Sequence, residues 1–290
     1  VKPWTRELDG CWPLRGVAVA AFAALAAFAS LPRAAVADDG SEPARPARDW
    51  DLAIGVNASL SPAYGGADDE AASLQPGLAL RWKRLSLASR SAFAVYRGDE
   101  GAARGGGLRL EVLEGRRWRA SLGLRAGSGR RESASPALAG LGDVRSTVFA
   151  RATLGLRLDA RNRLTTTVLV DALGRDSGTQ WITSLVHDRP LTPATTLSLS
   201  ASLSAADRRH HRTWYGVSPA QSLASGYAVY EPRAGLAGAA LSAGLRTRLS
   251  PHWVLFGGAG ASRLAGPAAR SPFVRQRTGW GANLGVVYAF

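Results

Sequence analysis

From Trp50 to the end of the chain, apolar residues recur at every second position rather than in the threes and fours of a helix. The last stretch shows the pattern best. Trp280, Ala282, Leu284, Val286, Tyr288 and Phe290 fall on one side of an extended ribbon, and Gly281, Asn283, Gly285, Val287 and Ala289 on the other. Side chains alternate across a strand, so each such ribbon carries one large apolar face. Twelve segments read this way: 49–60, 73–82, 85–95, 107–114, 118–126, 146–158, 163–173, 179–186, 195–205, 239–249, 253–262 and 279–290. The alternation is weakest in the third and in the eighth, where Ile182 and Val186 occupy the polar parity.

The connections add a second regularity. Short turns at 83–84, 114–117, 159–162, 187–194 and 250–252 alternate with longer loops at 61–72, 97–106, 127–145, 174–178, 206–238 and 264–278. Bacterial membrane barrels alternate in this way, with short turns in the periplasm and long loops outside. With the short turns so placed, Trp50, Trp82, Trp118, Trp253, Tyr288 and Phe290 all fall at periplasmic strand ends on the apolar parity, and Trp280 falls at the outer rim. Aromatic rings favour the headgroup level, so this is an interfacial girdle. The expected fold is all-β: a transmembrane antiparallel up-and-down β-barrel of about 12 strands, spanning residues 49–290. The final strand would close it against the first, leaving no open edge in lipid.

On the opposite parity the strands are polar and rich in arginine. Arg90, Arg109, Arg125 and Arg151 lie deepest and are the candidate lumen-lining residues, while others fall near strand ends, against Asp51, Glu111 and Asp171. Two readings stand. A positively lined interior would favour anions; alternatively, the guanidinium groups pair with acids or sit in water at the rim.

The amino terminus reads differently. Lys2, Arg6 and Arg15 precede an apolar run, 16–31, that is shorter than the roughly 20 residues a spanning helix needs, and Ala35-Val36-Ala37 follows it. The expectation is a signal peptide over 1–37, then a polar, proline-bearing periplasmic linker over 38–48. An uncleaved inner-membrane anchor is the alternative, disfavoured by Pro32 and Arg33. The one cysteine, Cys11, would leave with the signal, so no disulfide or cysteine metal site is expected. Removing 1–37 takes the formal charge from +14 to +12, nearly all of it arginine. In that compartment the excess points to anionic lipid, lipopolysaccharide or peptidoglycan, and not to nucleic acid.

No catalytic constellation emerges from the sequence. His187, His210, His211 and His252 all fall in turns or loops, none beside a serine in the way a Ser–His pair requires. Asp207, His210 and His211 could clip a metal, but a solvated loop cluster is the expected reading. No cofactor is implied, and no enzymatic activity is expected.

Several motifs then occur in a definite order: Ser61-Pro62-Ala63-Tyr64-Gly65-Gly66; Gly140-Leu141-Gly142-Asp143-Val144; Tyr215-Gly216-Val217-Ser218-Pro219-Ala220-Gln221-Ser222; Tyr230 to Leu236; Ser271-Pro272; and Tyr288-Ala289-Phe290. In this series the chain resembles the MltA-interacting protein/outer-membrane protein V family, over about Trp50 to Phe290. It departs at Pro232-Arg233, where a second proline-glycine turn is expected. The resemblance implies an outer-membrane barrel with Asp143, Tyr215, Gly216, Ser218 and Pro219 in its family-motif loops. It implies a non-enzymatic scaffold for a lytic transglycosylase and a peptidoglycan synthase; other members are described as adhesins or porin-like proteins. A narrow anion-preferring channel is the alternative, and an outer-membrane hydrolase ranks below both. Trp280, Tyr288 and Phe290 are the expected closure and assembly signal, the terminal aromatic being of the kind read by the barrel-assembly machinery. If the fold is as expected, the purified protein migrates differently on gels before and after boiling and gives a β-rich circular dichroism spectrum; a helix-dominated spectrum would refute it.

Overall fold

The computed structural model describes residues 50–89 and 106–290. The expected signal segment and linker, Arg90, and the distal part of the third strand lie outside the described residues. The strands are β1 (Trp50–Pro62), β2 (Glu70–Trp82), β3 (Leu85–Ala88), β4 (Gly107–Glu114), β5 (Trp118–Gly127), β6 (Thr147–Arg157), β7 (Asn162–Asp171), β8 (Thr179–Thr192), β9 (Thr195–Ala206), β10 (Gly235–Arg248), β11 (Trp253–Leu264) and β12 (Thr278–Ala289). Each pairs antiparallel with its neighbours in sequence, and β12 returns to β1, closing a barrel of twelve strands. The seam runs from Ala53 opposite Ala289 to Leu60 opposite Ala282.

Burial follows the alternation. Trp50, Ile54 and Val56 of β1 are exposed, whereas Ala53 and Asn57 on the opposite parity are buried. Leu74, Leu122, Leu154, Leu185, Leu203, Leu241 and Leu284 continue the exposed face around the barrel. In water such a surface would drive aggregation; against acyl chains it is the face a spanning barrel needs. Trp50, Trp82, Trp118, Trp253 and Phe290 project outward at the turn end. At the loop end Trp280 is joined by Trp181, which the sequence reading did not single out.

β8 differs most from expectation. It extends to Thr192, so the residues assigned to a turn at 187–194 are mostly strand. Ile182 and Val186 do not break its alternation; both face the lumen, Val186 fully buried and Ile182 against Phe149 and Leu169. The inner parity is therefore partly apolar, which a two-letter pattern reads as an irregularity.

The two halves of the inner wall are built from different residues. On β9 to β12 it carries Ser198, Ser200, Ser202, Ser242, Gly258 and Gly281; on β4 to β7 it carries arginine, glutamate and Phe149. Phe256 and Arg246, which face each other on β11 and β10, are exceptions on the first half. Phe256 is the apolar one. It is fully buried among Ala53, Ala79, Val287 and Ala289. It lies opposite Gly285, where a Cβ would meet the Phe256 ring at 2.3 Å. Truncating this ring leaves a hole that alanine and valine neighbours cannot fill. Phe256→Ala should lower unfolding stability by about 3 kcal/mol, read from the urea midpoint in detergent, with the girdle and closure intact.

Candidate functional site

At the loop end, the connection between β9 and β10 is not a simple loop. It forms two short helices, α1 (Arg208–Tyr215) and α2 (Pro219–Ser225). The family motif is their punctuation. Gly216 ends α1, with its N–H bonded to the Arg212 carbonyl. Ser218 caps α2 by accepting from the Gln221 N–H, Gln221 reciprocates to the Ser218 N–H, and Pro219 occupies the first turn. A capping box followed by proline satisfies donors that would otherwise be orphaned, so the string specifies a helix start. Val217, between the helices, is buried and pairs with Tyr230. Sequence reading placed these residues in a loop and missed both helices.

The loops share a core of their own. Tyr64, Ala67, Leu138, Leu141, Val217 and Phe273 form it, drawn from the β1–β2, β5–β6, β9–β10 and β11–β12 connections. Tyr64 donates its hydroxyl to the Phe273 carbonyl at 2.9 Å. Burial raises the Tyr64 phenol to about 12, so it stays a donor at any physiological pH. Asp143 accepts from the Glu132 N–H, folding the 132–143 segment back on itself. Gly65 lies under Tyr215, whose hydroxyl would be 2.7 Å from any added Cβ, and burial likewise raises the Tyr215 phenol to about 12. Gly66 needs its φ of +109° to aim its carbonyl at the N–H groups of Arg275 and Gln276.

One contact spans the barrel mouth. Arg130 belongs to the β5–β6 connection and Phe273 to the β11–β12 connection, which leave the ring of twelve strands on opposite sides. The Arg130 guanidinium nevertheless sits 5.1 Å from the Phe273 ring centre and donates to the Trp214 carbonyl at 2.8 Å. Tyr227 reaches from the β9–β10 connection to the Ala137 carbonyl, and Ser271 to the Tyr215 carbonyl. The loops therefore meet over the lumen, and α1 and α2 are part of that cover.

His210 and His211 are inside this cover, which corrects their reading as a solvated cluster. Both are buried, and no group of metal-binding side chains is found among the described residues. The His210 Nδ1–H donates to the Ser177 carbonyl at 2.9 Å, and His211 Nε2 lies 3.3 Å from the Gly235 carbonyl. Burial lowers both imidazoles, His210 to about 4.

Deeper in the barrel, Arg109, Arg125 and Arg151 share one patch of inner wall. Gly123 lies between Arg109 and Arg151 on a single rung, and Arg125 is two residues along, opposite Phe149. Arg109 lies 3.8 Å from Glu111, Arg151 is buried, and Arg125 keeps its Nε buried without a hydrogen-bond partner.

Below that patch a cavity of about 450 Å³ opens at the turn end, lined by eight arginines and three carboxylates. Arg109 of β4 and Arg246 of β10 both line it, so it reaches across the lumen. Arg163 is paired with Asp188 at 2.6 Å. Asp159 is engaged by its own turn, accepting from the Asn162 side chain and from the Arg161 and Asn162 N–H groups, which hold its carboxyl below the usual range. At the seam, Tyr288 packs on His252, Trp253 and Phe290, and His252 donates to the Ala289 carbonyl. Trp280 stands at the opposite, outer rim.

The histidines set a pH dependence for the cover. Their folded values lie below the roughly 6.5 of an unfolded imidazole, so the full stabilisation is present above that value. It is lost as pH falls towards about 4, His210 accounting for on the order of 3 kcal/mol. Protection factors over 208–225, which take out the intrinsic slowing of exchange in acid, should fall between pH 7 and pH 4.5, and His210→Gln should flatten that response.

Comparison with solved structures gives distant likenesses. The NanC porin aligns with a TM-score of 0.46 at 9% identity, covering 81% of this chain and 98% of its own. OprB of Pseudomonas putida gives 0.42 at 9% identity, with 83% of this chain and 94% of its own covered. An anion-selective porin from Comamonas acidovorans gives 0.38 at 12% identity, with 83% and 98% covered. Curated proteins give no match. The family described as MltA-interacting protein MipA matches residues 54–290, nearly the whole barrel, and the chain belongs to that family.

Proposed function

We propose that this barrel is a non-enzymatic scaffold of the outer membrane, working from its periplasmic side in association with enzymes that make and cut peptidoglycan. The contact of Arg130 with Phe273 carries the reading, because it joins loops from opposite sides of the outer mouth. A barrel covered outside and open inside offers its turn end as the accessible surface. The family's description as MltA-interacting supports a partner of the MltA type. We take that partner to be a lytic transglycosylase, with a peptidoglycan synthase as the second. Lipid and lipopolysaccharide are the surroundings of its apolar face, and the barrel-assembly machinery is its route into the membrane.

The second reading is a narrow anion-preferring channel, favoured by the arginines on the inner wall. The two are separable. Extraction in mild detergent should co-purify a lytic transglycosylase, and repeated absence of any murein enzyme would count against the scaffold. In planar bilayers the native protein should conduct poorly, while Arg130→Ala combined with Phe273→Ala should raise conductance several-fold. Steady, anion-selective current from the native protein would favour the channel instead.

A further inference from the structure

The turn-end cavity carries more positive charge than its own carboxylates neutralise. Of the three acids lining it, Asp188 is taken by Arg163, Glu111 lies beside Arg109, and Asp159 is occupied by the N–H groups of its turn. Arg119 is paired with Glu114 at 3.4 Å, and Arg246 stands across the lumen on β10. The other four arginines are Arg116 and Arg117 from the β4–β5 turn, and Arg157 and Arg161 from the end of β6 and the β6–β7 turn. Among the described residues none of the four has a carboxylate within ion-pair distance. The two turns are tied together where the Arg157 N–H donates to the Arg117 carbonyl at 2.8 Å. A second cleft, lined by Arg116, Arg117, Arg157, Leu158 and Asp159, shares three of these arginines with the cavity.

Like charges gathered this closely repel, and the repulsion is offset when an anion sits among them. Water and small counterions can screen the exposed ends. Guanidinium groups, however, present paired donors that fit phosphate and carboxylate oxygens in bidentate fashion. The volume of about 450 Å³ falls in the range of small-ligand sites. Entry is from the turn end, since the covered mouth is at the other.

We propose that this vestibule is a binding site for a small polyvalent oxyanion of the diphosphate type, held by Arg116, Arg117, Arg157 and Arg161. The site does not depend on the docking of a cell-wall enzyme, and its occupant can be a free phosphate compound or the headgroup of an anionic lipid. Pyrophosphate is the probe. Titrated calorimetrically into the full-length protein in neutral detergent, it should bind saturably and more weakly at high salt. Arg157→Gln combined with Arg161→Gln should weaken binding about tenfold or more, each lost charge-assisted contact contributing. Arg116→Gln combined with Arg117→Gln should do the same. The control pair Arg131→Gln and Arg145→Gln, on the loop connection at the other end, should bind as the native protein does. Heat-modifiable migration establishes that each variant is a folded barrel. Adding phosphatidylglycerol to the micelles separates the sources: displacement of pyrophosphate identifies a lipid headgroup, and undiminished binding identifies a soluble ligand. A flat titration of the native protein, or equal losses in the vestibule and control pairs, would overturn the proposal.

Discussion

Closure is the constraint on which the rest depends. A strand in hydrocarbon cannot leave a row of N–H and C=O groups unpaired, because each costs several kcal/mol without water to satisfy it. The pairing of Ala53–Leu60 with Ala282–Ala289 removes the two edges at once, and every other strand pairing is in the same sense conditional on it. Once the ring is closed, period-two alternation sorts the chain into two solvents. Leucine, valine and tryptophan face lipid, and serine, threonine, glycine and arginine face the lumen. The aromatic cluster of Tyr288, Trp253 and Phe290 stands where this seam meets the turn-end interface.

The barrel was largely legible in the sequence because that sorting is written one residue at a time. Strand existence, the short-turn and long-loop rhythm and the tryptophan levels all follow from alternation. The places where it failed share a cause. Ile182 occupies the lumen parity because Phe149 and Leu169 give it an apolar patch inside, and no pattern over one strand can reveal a neighbour on another. The two helices were hidden in a stretch treated as connection, although Ser218-Pro219-Ala220-Gln221 is a capping signal in plain view. Loop histidines ordinarily sit in water; here the loops bury one another, His210 and His211 with them. Which arginines face each other was also beyond the sequence, since Arg109 and Arg151 become neighbours only through the register on Gly123.

The inner wall divides labour in a way composition does not reveal. Small residues predominate on the inner face of β9 to β12, with Phe256 and Arg246 among them, while arginine and aromatic side chains project from β4 to β7. Charge is thereby concentrated on the β4 to β7 half. An anion entering from the turn end meets guanidinium groups from β4 to β7 and their turns on one side, and Arg246 of β10 across the lumen. That is a better arrangement for orienting a ligand than a uniformly charged ring would be.

The cover also orders events during assembly. Tyr64 and Phe273 are 209 residues apart, and their bond joins the first described loop to the last. Contacts of such long range carry the largest loop-closure cost until intervening structure brings their ends together. Here the closed ring does that, so the cover can form only after β12 has found β1. A chain stalled with an open seam would keep its loops apart and leave the glycine-rich 61–66 segment accessible. The fold of the outer loops is therefore a built-in record of whether the barrel beneath them was completed.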